Sequence, residues 1–200
     1  MAIGDDYATL AELRYRIGEG LSDEDTTNDA ALTRALTTAS RAVEDFCGRQ
    51  FNTDAAATAR VYAADACEVV YIDDFSTTVG LTVAADSSLW DVGDYQPEPL
   101  NGINAGRTGW PYYRIRAVGA LSWPVSSKAL VSVTAMWGWA SVPVSIKEAV
   151  LILAQETWML KQAPFGMAGS DEFGTTPMMR FNPRVIALLK PYQRNEVRLG

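Results

Sequence analysis

Along the first fifty residues the apolar positions recur at helical spacing. Leu10, Leu13 and Ile17 fall three and four apart behind Thr9-Leu10-Ala11-Glu12. In such a capping box the threonine and glutamate satisfy each other's free amides, so the spacing predicts a helix starting there and stopping near Gly18 to Gly20. An acidic, polar stretch, Ser22 to Asn28, follows. Leu32, Leu36, Ala39, Val43 and Phe46 then mark one face of a second helix, predicted over Asp29 to Cys47, with Gly48 as its stop and Phe51 folding back on the last turn. Ala31, Ala35, Ala39 and Ala42 would let another helix approach closely, although alanine also favours the helix on its own account.

The period changes at about Thr58. Arg60 to Ala63, Glu68 to Ile72, Leu81 to Ala84, Tyr113 to Val118 and Leu130 to Trp137 are short runs rich in Val, Tyr, Ile and Thr, divided by Gly, Pro, Asp, Asn and Ser. They predict strands and turns. In the last run Val131, Val133, Ala135 and Trp137 share one face. Gln96 to Pro111, with three prolines and three glycines, predicts a long loop that is mobile or touches a neighbour.

Helical spacing returns after Val142-Pro143, where Ile146, Val150, Leu153, Ala154 and Trp158 form an apolar face widened by Ala149 and Leu160. Ala163-Pro164-Phe165-Gly166 ends this third helix. A glycine-rich connector, Gly166 to Pro177, leads to Asn182-Pro183, a cap and first-turn proline that open a short helix carrying Val185, Ile186, Leu188 and Leu189, which Pro191 cuts. The expected fold class is α+β: a helical core of three main helices plus a short C-terminal helix, with a small, mainly antiparallel β-unit inserted between helices two and three. The expected boundaries are 1–51 and 141–175 for the helical core, 52–140 for the β-rich insertion and 176–200 for a C-terminal arm.

Composition narrows the chemistry. At 200 residues, 48% hydrophobic and 20% charged, the chain can bury a core without a disulfide scaffold. It contains no histidine, which excludes a Ser-His-Asp triad and any imidazole metal site. The two cysteines, Cys47 and Cys67, are too few for a thiolate zinc site and read as small buried hydrophobes. Neither a membrane span nor a secretory leader is expected from the apolar runs or from the acidic opening, Met1 to Asp6.

The net charge of −7 argues against a general nucleic-acid coat. Its distribution is uneven. Residues 1 to 100 hold 19 acids and 6 bases, whereas residues 101 to 200 hold 5 acids and 11 bases. The most basic stretch is the last, where Arg180, Arg184, Lys190, Arg194 and Arg198 face only Glu196. It suits an acidic partner surface, including another copy of the chain through its acidic half, or else is simply a solvated helical face.

Catalytic candidates are few. Asp73 and Asp74 at the end of a strand, and Asp91 and Asp94 in a turn, could serve acid/base chemistry or a divalent cation, but they are equally the ordinary residues of β-turns. Gly166 to Gly174 lacks the Gly-Lys-Ser/Thr ending of a phosphate loop. No catalytic residue, cofactor or metal is expected. Of the six tryptophans, Trp137, Trp139 and Trp158 read as core, while Trp90, Trp110 and Trp123 lie in loop-like contexts and are candidates for a carbohydrate- or receptor-binding face, or for pinning their loops to the sheet.

Several stretches together resemble the head-to-tail connector, or adaptor, proteins of long-tailed bacteriophages. They are Tyr7 to Ile17, Ala39 to Phe51, Val142 to Ala149 with Trp158 downstream, and Pro164-Phe165-Gly166 through Asp171 to Gly174 and on to Arg180-Phe181-Asn182-Pro183. The variants resembled are the larger ones, with a β-rich insertion between the second and third helices. The resemblance implies a non-enzymatic virion protein at the capsid vertex, made in the host cytoplasm. It implies a homo-oligomeric ring, usually of twelve copies, beneath the portal protein and leading to the next neck protein, a stopper or tail terminator. Genomic DNA would pass through the lumen without sequence-specific binding, and no membrane is involved. The C-terminal segment would reach the portal or an adjacent subunit, with Phe173, Phe181 and Tyr192 as apolar anchors and Arg180, Arg184, Arg194 and Arg198 as charge partners. A stopper or tail-completion role in the same neck is the neighbouring expectation.

Overall fold

The computed structural model describes residues 4–18, 26–162 and 182–194. Four α-helices and seven strands occur in the order α1 (Leu10–Ile17), α2 (Asp29–Cys47), β1 (Thr58–Tyr62), β2 (Val69–Phe75), β3 (Thr82–Ala85), β4 (Ser88–Leu89), β5 (Tyr95–Glu98), β6 (Tyr112–Ala117), β7 (Val131–Ala135), α3 (Val144–Gln162) and α4 (Pro183–Leu189). The fold is α+β, and its antiparallel sheets lie between the second and third helices in sequence. The chain forms two compact units: Asp5–Arg49 with the chain from Val142 onward, and Gln50–Ser141.

In the helical unit the local signals act as their chemistry requires. The Thr9 hydroxyl accepts from the Glu12 amide, while the Glu12 carboxylate accepts the Thr9 N–H at 2.8 Å. Helix α2 ends at Gly48, whose left-handed conformation (φ 61°) lets its N–H reach the Glu44 carbonyl at 2.7 Å. Its buried stripe, Leu32, Ala35, Leu36, Ala39 and Val43, faces α3, which contributes Ile146, Ala149, Val150 and Ala154. Alanines on both helices permit the close approach. Tyr7 is fully buried; its amide donates to Ser40 Oγ at 3.1 Å and its hydroxyl to the Glu44 carboxylate. At α4 the Asn182 side chain accepts the Arg184 N–H, Pro183 occupies the first turn, and Val185 and Leu189 bury completely in a helix packed on α2 and α3. Pro191 does end α4, but the chain continues in a tighter 3₁₀ turn, Lys190–Tyr192.

The β-unit is built from two antiparallel sheets, ordered β1-β7-β3-β4 and β2-β6-β5. Phe75 at the end of β2 and Trp137 just past β7 form an isolated antiparallel bridge. The core shared by the two sheets holds Val70, Ile72, Phe75, Val83, Ile115, Val131, Val133 and Trp137. The stretch 96–111 departs from the expected loop. Tyr95–Glu98 pairs with β6 along Tyr95↔Ala117 to Glu98↔Arg114, and Pro97 is tolerated because β5 is an edge strand with no further partner requiring its N–H. Beyond it, a short 3₁₀ turn (Leu100–Gly102) and a tight turn in which Asn104 and Arg107 exchange both backbone hydrogen bonds order the loop, which the Trp110 N–H closes onto the Gly102 carbonyl at 2.9 Å.

Gly138 has a specific steric duty. It sits at φ 102°, its N–H meets the Asp74 carbonyl, and any Cβ there would collide with the Asn52 backbone carbonyl. Only glycine lets these two backbone segments approach so closely.

Candidate functional site

The residues with possible chemistry in the β-unit are absorbed by its architecture. Asp73 lies inside β2 instead of following it; it ion-pairs with Arg60 at 2.7 Å and accepts the Tyr62 hydroxyl at 3.1 Å. Burial, followed by the nearby Asp73 charge, pushes the Tyr62 phenol well above its ordinary range. Asp74, also in β2, is buried and accepts the Trp139 indole N–H at 2.8 Å. The sequence expectation of a turn after Ile72 is thus corrected: the strand runs on through both aspartates to Phe75. Asp91 and Asp94 do form a turn, with the Asp94 carboxylate accepting the Asp91 N–H at 2.9 Å. Among the described residues no group of three or more His, Cys, Asp or Glu side chains is placed to hold a metal ion.

The tryptophan surface expected from Trp90, Trp110 and Trp123 is corrected by burial: they retain 9, 5 and 2% exposure. Trp90 and Trp123 stack at 4.2 Å, and Trp110 meets Trp139 edge-on at 5.0 Å. These indoles pin loops to the sheets, which leaves no ring face for a sugar. Cys67 is a second correction. It is exposed, while Cys47 is buried and its thiol is pushed up to about 12 by that burial.

The largest charge cluster of the β-unit surrounds Glu98. It is buried and pairs with Arg114 at 2.7 Å and Arg116 at 2.8 Å. Burial alone would raise its carboxyl, but the Arg116 and Arg114 guanidinium groups outweigh it and hold the pKa below the ordinary value.

The helical unit also presents surface features. On the helical unit, Ala11, Glu12, Tyr15, Arg16 and Leu151 line an open groove of about 480 Å³. Its Tyr15 is almost wholly exposed, and its rim charges are already matched, Glu12 to Lys147 at 2.9 Å and Arg16 to Glu148 at 3.0 Å. The Glu12 carboxyl is held below its usual range first by the Thr9 amide and then by Lys147.

Of the seven residues expected to dock partners, three lie among the described residues. Phe173, Arg180, Phe181 and Arg198 lie outside the described residues. Arg184 is exposed on α4, whereas Tyr192 and Arg194 are half-buried, and the Arg194 N–H donates to the Cys47 carbonyl at 2.9 Å. Residues 182–194 thus belong in part to the helical unit's own packing, which the proline-broken, basic sequence concealed. Lys190, not among the seven, is exposed in the 3₁₀ turn that follows α4. Neither it nor Arg184 has an ion-pair partner among the described residues.

This architecture, an antiparallel β-unit placed between the second and third helices of a small helical unit, is shared with solved neck structures. A chain described as "Neck of empty GTA particle computed with C6 symmetry" is 20% identical with a TM-score of 0.58, over 96% of this chain and 91% of that one. One from "Neck of native GTA particle computed with C12 symmetry" is 18% identical with a TM-score of 0.55, and one from "Virion of native gene transfer agent (GTA) particle" is 19% identical with a TM-score of 0.53, each with the same coverage. At this identity the likeness is one of fold. No protein-family model and no curated protein matches the chain.

Proposed function

We propose that the chain is a non-enzymatic structural component of the neck of a phage-like particle, acting as a head-to-tail adaptor. In this reading identical copies form a ring, twelve in number, beneath the portal, joining the capsid to the next neck protein while the genome passes through the lumen. The observation that carries it is the likeness to neck chains across nearly the whole length of both proteins, inserted β-unit included. The C6 and C12 symmetries of those particles support the ring. The uneven charge of the chain supports association of an acidic with a basic face.

In this reading the C-terminal segment docks on the portal or a neighbouring copy, through Phe173 ahead of the arm 176–200 and through Arg180, Phe181, Arg184, Tyr192, Arg194 and Arg198 within it. Because Val185 and Leu189 fill the helical core, deleting the arm would also unfold its support. Arg180→Glu with Arg198→Glu is the cleaner perturbation. Electron microscopy of the purified protein, alone and mixed with portal, tests the whole reading. Rings capping the portal are expected, with loss of capping in the double variant. Attachment only to a tail-side ring would assign the chain a stopper or tail-completion role, and a monomer that ignores both would overturn the neck reading.

A further inference from the structure

A ring of identical subunits requires two different faces on one chain, each fitting the other on the next copy. Two surfaces have that relationship in chemistry. The first is the solvent side of α4 and the turn after it. Val185 and Leu189 point inward, so Arg184, Ile186, Ala187 and Lys190 are left on the outer side, and all four are exposed. This face carries two cations with no ion-pair partner among the described residues; Glu156, which meets the start of the helix, accepts the Asn182 side-chain amide at 2.8 Å.

The second surface is the β3–β4 hairpin. Its two-residue turn, Asp86-Ser87, has both residues at positive φ (46° and 68°), the geometry that matches strand twist and keeps a hairpin stiff. It is held from behind by the Trp90 N–H on the Val83 carbonyl and by the Trp90–Trp123 stack. What it offers solvent is apolar and acidic: Leu89 and Val92 are 74% and 81% exposed, beside Asp86 and Asp91, whose carboxylates have no cationic partner among the described residues. Leu89 lies on the two-residue edge strand of its sheet, whose outer side has no strand partner among the described residues.

We infer that the β3–β4 hairpin of one copy seats on the outer face of α4 of the next, Asp86 and Asp91 against Arg184 and Lys190, with Leu89 and Val92 over Ile186 and Ala187. The inference rests on the ring proposed above and names the copy-to-copy contact within it. It directs Arg184 and Lys190 to a neighbouring copy and not to the portal. Two like-charged faces would repel themselves, so each favours the other over a copy of itself, and the contact runs head to tail around the ring.

Sedimentation of the full chain across a concentration series, at low and high salt, tests it. Association that weakens as salt rises is expected. Asp86→Lys with Asp91→Lys, or Arg184→Glu with Lys190→Glu, should each weaken association by roughly tenfold or more, and a chain carrying all four changes should recover it. Circular dichroism of each variant guards against misfolding, since all four positions are on the surface. Association that survives either pair of changes, or fails to return in the fourfold chain, overturns this contact and leaves the ring standing. A wild-type chain that stays monomeric at every concentration, alone and on portal, overturns both.

Discussion

The helical unit and the β-unit hold together by different means. The helices are closed by local devices: a capping box at Thr9, a left-handed Gly48, an asparagine and proline at the head of α4. Their charges pair on the surface, as Glu12 does with Lys147 and Arg16 with Glu148. In the β-unit the closing contacts are not such local caps but join distant segments, as the ion pairs between α1 and α3 also do. Trp137 donates to Thr58 and Trp139 to Asp74, 79 and 65 residues away, and Glu98 gathers Arg114 and Arg116 from the adjacent strand. Five of the six tryptophans fall in this unit, and every one is buried. The difference teaches that the tryptophans of this chain are structural cement, while its exposed surfaces among the described residues carry charged and aliphatic side chains and a few tyrosines such as Tyr15.

Replacing Trp123 by Ala should give the largest effect. It removes a fully buried ring and half of the Trp90 stack, at a cost of about 3–5 kcal/mol. Near-ultraviolet dichroism, dominated by the β-unit indoles, should collapse while the helical signal persists; equal loss of both would erase the distinction between the units.

Glu98→Gln should cost less, about 1–3 kcal/mol, because Arg114 and Arg116 keep partial access to water. This change also has a pH signature. The Glu98 carboxyl is lower in the folded than in the unfolded chain, so its contribution is present above the ordinary carboxylate pKa of 4.5 and fades as pH falls through the folded value. Denaturant melts of wild type should therefore lose stability below about pH 4.5 more steeply than melts of the variant. Parallel curves would remove the ion pairs from the account.

Gly48→Ala should have the smallest effect, about 1 kcal/mol, since it forces a side chain into the left-handed cap without disturbing any buried group. A shift as large as that of Trp123→Ala would mean that helix ends matter as much here as sheet packing does.

The helices were legible in the residues because their signals are local. A cap, a three-four spacing and a glycine lie within a few turns of one another, and α2 runs over the expected Asp29–Cys47. Five of the strands were likewise readable from β-branched and aromatic runs. Strands β4 and β5 were not. The first is two residues long, and the second contains Pro97, tolerable only because that strand has one neighbour. The surface of α4 was half-legible: Arg184 stood out by its charge, but that Arg194 is tied down depends on the end of α2, more than 140 residues earlier.

The order of residues was enough to set the helix limits, the α+β class and the absence of histidine chemistry, since each depends on near neighbours or on composition. That the tryptophans are buried, that Asp73 and Asp74 lie in a strand, and which cations among the described residues have no ion-pair partner were settled by folding. Those properties belong to pairs of segments brought together across the chain, and no short window of sequence contains both members of such a pair.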